Sequence, residues 1–161
     1  MLPLRTCKLE RGACDATRVV EKLREQGSLT SSITIFMKTN PFQKNTEQYA
    51  NSFTVNIPHP TAFTPDILTY ALEGLNAMYR EGYRYNKAGV YLTKLSPQSS
   101  IQPDVFGEFS LIEHYKQARL MAIMDAINKI YWRDTLVFAI QGISRSWKVL
   151  RLKLSNYFTT S

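Results

Sequence analysis

Residues 52–57, Ser-Phe-Thr-Val-Asn-Ile, alternate strictly between small polar and apolar side chains. Successive side chains of a strand point to opposite faces, so Phe53, Val55 and Ile57 share one face and Ser52, Thr54 and Asn56 the other. An antiparallel sheet with one face on a core and one in solvent produces this pattern. Ser32–Thr39 repeats it: Ile33, Ile35 and Met37 alternate with Thr34, Phe36 and Lys38, and Pro41 ends the run. Lys87–Leu95 reads as a third strand, with Val90 and Leu92 inward and Tyr91 and Thr93 outward.

Helical periodicity fills the intervals. One helix is predicted over about 13–26, capped by Asp15, with Val19, Val20 and Leu23 on one face and Gly27-Ser28 as its stop. Thr64-Pro65 opens a second, with Thr64 as the capping residue and proline at the first helical position. Its apolar stripe is Ile67, Leu68, Ala71, Leu72, Leu75, Met78 and Tyr79, and Gly82 closes it. His59 falls in a proline-flanked segment, IPHPT, that reads as a loop. SPQSSIQPD at 96–104 is a linker by composition. Beyond it come a helix over about 112–130 and strands at Thr135–Ile140 and Trp147–Leu154. The fold class is α+β: an open antiparallel or mixed sheet with two helices on one face, then a small helix-plus-two-strand extension. The predicted division is 1–96, a linker at 97–110, and 111–161.

The chemistry the chain lacks is informative. His59 and His114 stand far apart, with no cysteine or serine at a nucleophile spacing, and read as surface histidines. GYRYNKAGV lacks the glycine spacing of a phosphate loop. The acids are scattered, and no pair sits where two magnesium ions would be held. Cys7 and Cys14 make neither a zinc site nor a disulfide framework, which fits a reducing, cytoplasmic location. No segment approaches a membrane span. The chain therefore reads as no enzyme on its own and as needing no cofactor.

With 20 basic against 13 acidic residues and a net charge of +7, an anionic partner is a natural one to consider. The polar sheet face supplies Thr34, Lys38, Thr39, Ser52, Thr54, Asn56 and Lys87. Short side chains let a sheet lie close to a phosphate backbone. An ordinary solvated sheet face fits the same pattern, and on pattern alone it is the simpler reading.

Several motifs in order tip that balance. MKTNPF at 37–42, Tyr49-Ala50-Asn51-Ser52 before an alternating strand, and GYRYNKAGV at 82–90 resemble IKTSPF, YGNS and GHRYQKAGV of the Y-family translesion DNA polymerases of the UmuC type. VVEKLRE at 19–25 resembles the AAEKLR of the first helix of that family's little finger, its DNA-gripping domain. LMAIMDAINKIYWRDTLVFAIQG at 120–142, and Trp147 followed by KVLRLKLSNYFTTS, resemble the family's C-terminal extension. The likeness runs from about residue 13 to the C-terminus.

By that resemblance the polar face contacts primer–template DNA through its backbone, without reading sequence. Carried over position by position, the DNA-facing set is Lys38, Thr39, Asn51, Ser52, Thr54, Arg84 and Lys87. Gln102, Val105 and Phe106, within the 97–110 linker, resemble the family's sliding-clamp-binding pentapeptide, in which two apolar anchors enter a pocket and the glutamine fixes orientation. Further partners implied are a UmuD'-type protein and a recombinase filament, in SOS mutagenesis and DNA repair. Trp132, Trp147, Tyr131 and Phe138 are expected to pack the extension's core, with stacking on single strands as the alternative. Arg145, Lys148, Arg151 and Lys153 form a basic cluster around the last expected strand.

The family's palm, with its metal-binding carboxylates and nucleotide pocket, has no counterpart in this sequence, and magnesium would belong to that palm. The first little-finger strand also has none, since residues 1–12 do not resemble it. The expectation is a non-catalytic C-terminal fragment, truncated at its N-terminus, that binds DNA and the sliding clamp. A clamp-binding interaction module without useful DNA affinity, and a remnant without function, are the alternatives.

Overall fold

The computed structural model describes residues 4–43, 47–100, 110–132 and 134–141. Helix α1 (Leu4–Glu25) leads into strand β1 (Ser28–Thr39), β2 (Ala50–Thr61), helix α2 (Thr64–Met78) and β3 (Tyr85–Pro97). A 3-10 turn at Gln98–Ser100, helix α3 (Leu111–Ile130) and a 3-10 turn at Ala139–Gln141 follow among the described residues. The fold of the described residues is α+β with an open, antiparallel, three-stranded sheet in the order β2-β1-β3.

The alternation sets the layers as expected. Ile33, Ile35 and Met37 of β1 are buried against Ala13, Ala16 and Val20 of α1 and Ile67, Leu68, Ala71, Leu75 and Met78 of α2. Val90 of β3 and Ile57 of β2 join them from either side. Burying such side chains contributes about 1.5–3 kcal/mol each, which makes this layer the source of the sheet's stability. Gly12 lets α1 approach α2, because a Cβ there would come within 2.6 Å of Leu75 Cδ1.

Several boundaries differ from the sequence reading, for local reasons. α1 starts at Leu4, so Asp15 lies inside the helix rather than at its cap; the run LRTCKLER is made largely of good helix formers. Its far end is as expected, with Gly27 in the left-handed region at φ 62°. Phe63 occupies the N-cap position of α2, and Thr64 is fully buried one residue inside. α2 ends at Met78, before Gly82. β2 runs on through Pro58, His59 and Pro60, where a loop was expected. Proline is tolerated there because β2 is an edge strand among the described residues and the prolines fall where its register with β1 breaks, between Asn56 and Thr61. The strand expected at Thr135–Ile140 is absent: that stretch is turn and 3-10 structure. The strand expected at Trp147–Leu154 lies outside the described residues.

Among the described residues, one ion pair ties α3 to the first unit. The Arg24 guanidinium donates to both carboxylate oxygens of Asp125 at 2.6 and 2.7 Å. It also donates to the Ala62 carbonyl at 3.0 Å and Thr64 Oγ1 at 2.8 Å. Below them Gln141, 1% exposed, donates to Thr17 Oγ1 at 2.8 Å, and Phe138 packs against the core. Arg24→Met strands a partly buried carboxylate and two acceptors, so it is expected to cost about 2–3 kcal/mol. Thermal unfolding should fall by about 5–10 °C; an unchanged midpoint would refute the tie.

Candidate nucleic-acid interface

The face of the sheet opposite the helices is laid out in rows across β2, β1 and β3. They are Asn56–Ser32–Thr93, Thr54–Thr34–Tyr91, Ser52–Phe36–Gly89 and Ala50–Lys38–Lys87. Thr34 and Thr54 share a hydrogen bond at 2.8 Å. Lys38 and Lys87 stand directly opposite each other, both exposed, and among the described residues neither has a hydrogen-bond or ion-pair partner. Side chains so paired lie about 5 Å apart at Cβ, and like charges there destabilise a sheet. An anion over the row relieves that repulsion.

A third lysine reaches the same face against the alternation. Lys94 follows the inward Val90 and Leu92 by even steps, yet its φ is 51° and its Nζ donates to Asn56 Oδ1 at 3.0 Å. Asn56 belongs to the outer row of β2, so the ammonium crosses β1 above Ser32, which is 1% exposed. A left-handed non-glycine residue costs about 1 kcal/mol or more. Sequence reasoning missed Lys94, because only its backbone conformation turns it outward.

The resemblance-derived set is not all on one surface. Lys38, Ser52, Thr54 and Lys87 are exposed together on the outer rows. Thr39 is 5% exposed, on the inner side of β1. Its hydroxyl donates to Gln48 Oε1 at 2.7 Å and accepts from the Tyr49 amide at 3.0 Å, so it fastens the β1–β2 connection behind the face. Asn51 pairs with Met37, on the opposite side of β2 from Ser52. Its Nδ2 donates to Tyr49 Oη at 3.1 Å and its Oδ1 accepts from the Ser52 amide at 2.9 Å. Arg84 is exposed in the turn before β3.

That end of the sheet is held by tyrosines. Tyr49 packs against Tyr83 at 4.9 Å and edge-on against Tyr85 at 5.8 Å between ring centroids, with Arg80 5.3 Å above its ring. Tyr49 Oη donates to the Met78 carbonyl at 2.8 Å. Burial pushes the Tyr85 phenol up from its ordinary value. Kept neutral, it accepts from the Arg80 amide at 2.9 Å and donates to the Arg80 carbonyl at 3.0 Å, closing the turn that carries Arg84.

Gln102, Val105 and Phe106 lie outside the described residues, as do Trp147, Arg145, Lys148, Arg151 and Lys153. Phe138 packs against the sheet-and-helix core rather than a core of the extension, and Tyr131 and Trp132 are 65% and 85% exposed and do not pack a core. His114, expected at the surface, is 9% exposed, and burial lowers its pKa. Among the described residues no three metal-ligating side chains come together, and no helix is long and apolar enough to cross a membrane.

Two family models match the chain. The impB/mucB/samB family C-terminal domain covers residues 15–105, and a domain of unknown function (DUF4113) covers 118–161. Protein UmuC of Salmonella typhimurium strain LT2 is 37% identical over 145 residues, which is 90% of this chain and 34% of that protein. Protein ImpB of Salmonella typhimurium and Protein MucB of Escherichia coli are each 34% identical over 145 residues, again 90% of this chain, and 34% and 33% of their own lengths. The chain thus spans about a third of the length of these curated relatives.

Proposed function

The chain belongs to the impB/mucB/samB family through its C-terminal domain, and from that premise we propose that it is the DNA-gripping part of a UmuC-type, error-prone translesion polymerase. The outer sheet face holds duplex primer–template DNA by its phosphates and reads no bases, which suits a template with damaged ones. Lys38 and Lys87 carry most of the grip; Ser52, Thr54 and Arg84 flank them, with Thr39 and Asn51 bracing the strand ends. On this reading the chain contributes grip and tethering, in the cytoplasm, to SOS mutagenesis, and no nucleotidyl transfer of its own.

The observation that carries the reading is the in-register Lys38–Lys87 pair, two like charges left facing each other with no acid among the described residues to offset them. Binding to primer–template DNA, measured as a function of salt for the wild type and Lys38→Ala/Lys87→Ala, tests it. Equal binding by both proteins, or none by either, would sink it.

We retain the division into 1–96, 97–110 and 111–161 as a proposal; the two family models cover 15–105 and 118–161, so the first runs on into the proposed linker. In that linker Gln102, Val105 and Phe106 serve as the tether to the sliding clamp, the motif's glutamine and apolar anchors being its support. A second reading, a protein-interaction module, draws on α3, where Ile112, Tyr115, Leu120, Ile123 and Ile130 are all more than half exposed. Titration against the sliding clamp bears on both. Val105→Ala/Phe106→Ala is expected to abolish binding, and survival of binding would rule the pentapeptide out.

A further inference from the structure

An aromatic pair sits in the middle of the outer face, where phosphate contact has no use for it. Phe36 and Tyr91 stack with ring centroids 5.0 Å apart and planes 17° from parallel. Gly89, opposite Phe36, makes the room: a Cβ there would come within 2.4 Å of the Phe36 ring. Phe36 covers one face of Tyr91, yet Tyr91 is 56% exposed, so its other face is open to solvent. The pair is bracketed by cations. Lys38 and Lys87 lie on one side, one row beyond Phe36 and two rows beyond Tyr91, so about 7 and 13 Å along the strands. Lys94, held by Asn56, lies on the other side.

A ring pair left open between three lysines matches one class of ligand. Every nucleobase has a π-face, so an aromatic platform flanked by cations takes single strands with little regard to sequence. A duplex keeps its bases stacked on each other and offers the platform only its backbone. We propose that Phe36–Tyr91 is a base-stacking platform, and that this face takes single-stranded DNA with a base on Tyr91 and phosphates on Lys38, Lys87 and Lys94. The proposal rests on the DNA-binding reading above and extends it from duplex backbone to unpaired nucleotides.

The test uses the whole chain and three ligands at one salt concentration: an oligothymidylate, an abasic strand of equal length, and a duplex. The wild type is expected to prefer the oligothymidylate over the abasic strand by roughly five- to a hundredfold, the range that stacking of one base supplies. Tyr91→Leu should erase that preference while leaving duplex and abasic binding as they were; Tyr91→Phe should keep it. Equal wild-type affinity for the thymidylate and abasic strands overturns the platform alone. So does a Tyr91→Leu protein that loses all three ligands in parallel, since that marks a structural role. Failure of the wild type to bind any of the three overturns the DNA reading and the platform with it.

Discussion

Truncating Ile35 to alanine is expected to remove about 2–5 kcal/mol of stability, more than any other single change considered. Ile35 is 1% exposed in the central strand, between Phe53 of β2 and Val90 of β3. Its δ methyl fills the spot that a Cβ on Gly74 of α2 would claim, 2.6 Å from that position. The helix therefore rests on this side chain, and alanine leaves a cavity that neither neighbour can close. The midpoint of thermal unfolding should fall by about 5–15 °C. Thr34, the adjacent residue, faces out and has one exposed hydrogen bond to lose; Thr34→Ala should cost about 1 kcal/mol or less. The pair also predicts a coupling. Gly74→Ala alone forces two methyl groups together, although alanine is otherwise favoured in a helix by about 1 kcal/mol. In an Ile35→Val background, which lacks the δ methyl, the same change should turn stabilising. Additive effects of the two substitutions would show that Gly74 is not packed against Ile35.

What was legible in the sequence follows from the range of each signal. Alternation is local, so the faces of Ile33, Ile35, Met37, Val55, Ile57, Val90 and Leu92 could be read from strand residues alone. Even Phe53, 41% exposed, lies on the side it was assigned; it is exposed because β2 is an edge. Parity also corrects the polar-face reading, which set Thr39 beside Lys38: neighbours in one strand cannot share a face. The missed features are non-local. Arg24 and Asp125 are 101 residues apart. Phe36 finds its seat over Gly89 only once β1 and β3 are in register. Lys94 reaches the outer face through a left-handed backbone that no neighbouring residue type announces.

Removing Lys38 and Lys87 together is expected to weaken binding to primer–template DNA about sixtyfold at 0.1 M salt. The magnitude follows from counterion release. Each phosphate neutralised on duplex DNA contributes about 0.9 to the slope of log affinity against log salt, so two lysines account for about 1.8 of it. That contribution fades towards 1 M salt, so at a tenfold lower concentration it amounts to about 1.8 decades. The curves for the wild type and Lys38→Ala/Lys87→Ala should therefore converge as salt rises and separate as it falls. Stability provides an opposite sign. The two lysines repel each other across the β1–β3 ladder, so the double variant should unfold no more easily than the wild type without DNA, and by the pair's cost, about 0.2–1 kcal/mol, less easily. A site selected only for folding would not retain such a pair. Weaker DNA binding with equal or greater stability therefore separates an anion-binding row from a solvated one. Parallel salt curves would remove both lysines from the DNA contact.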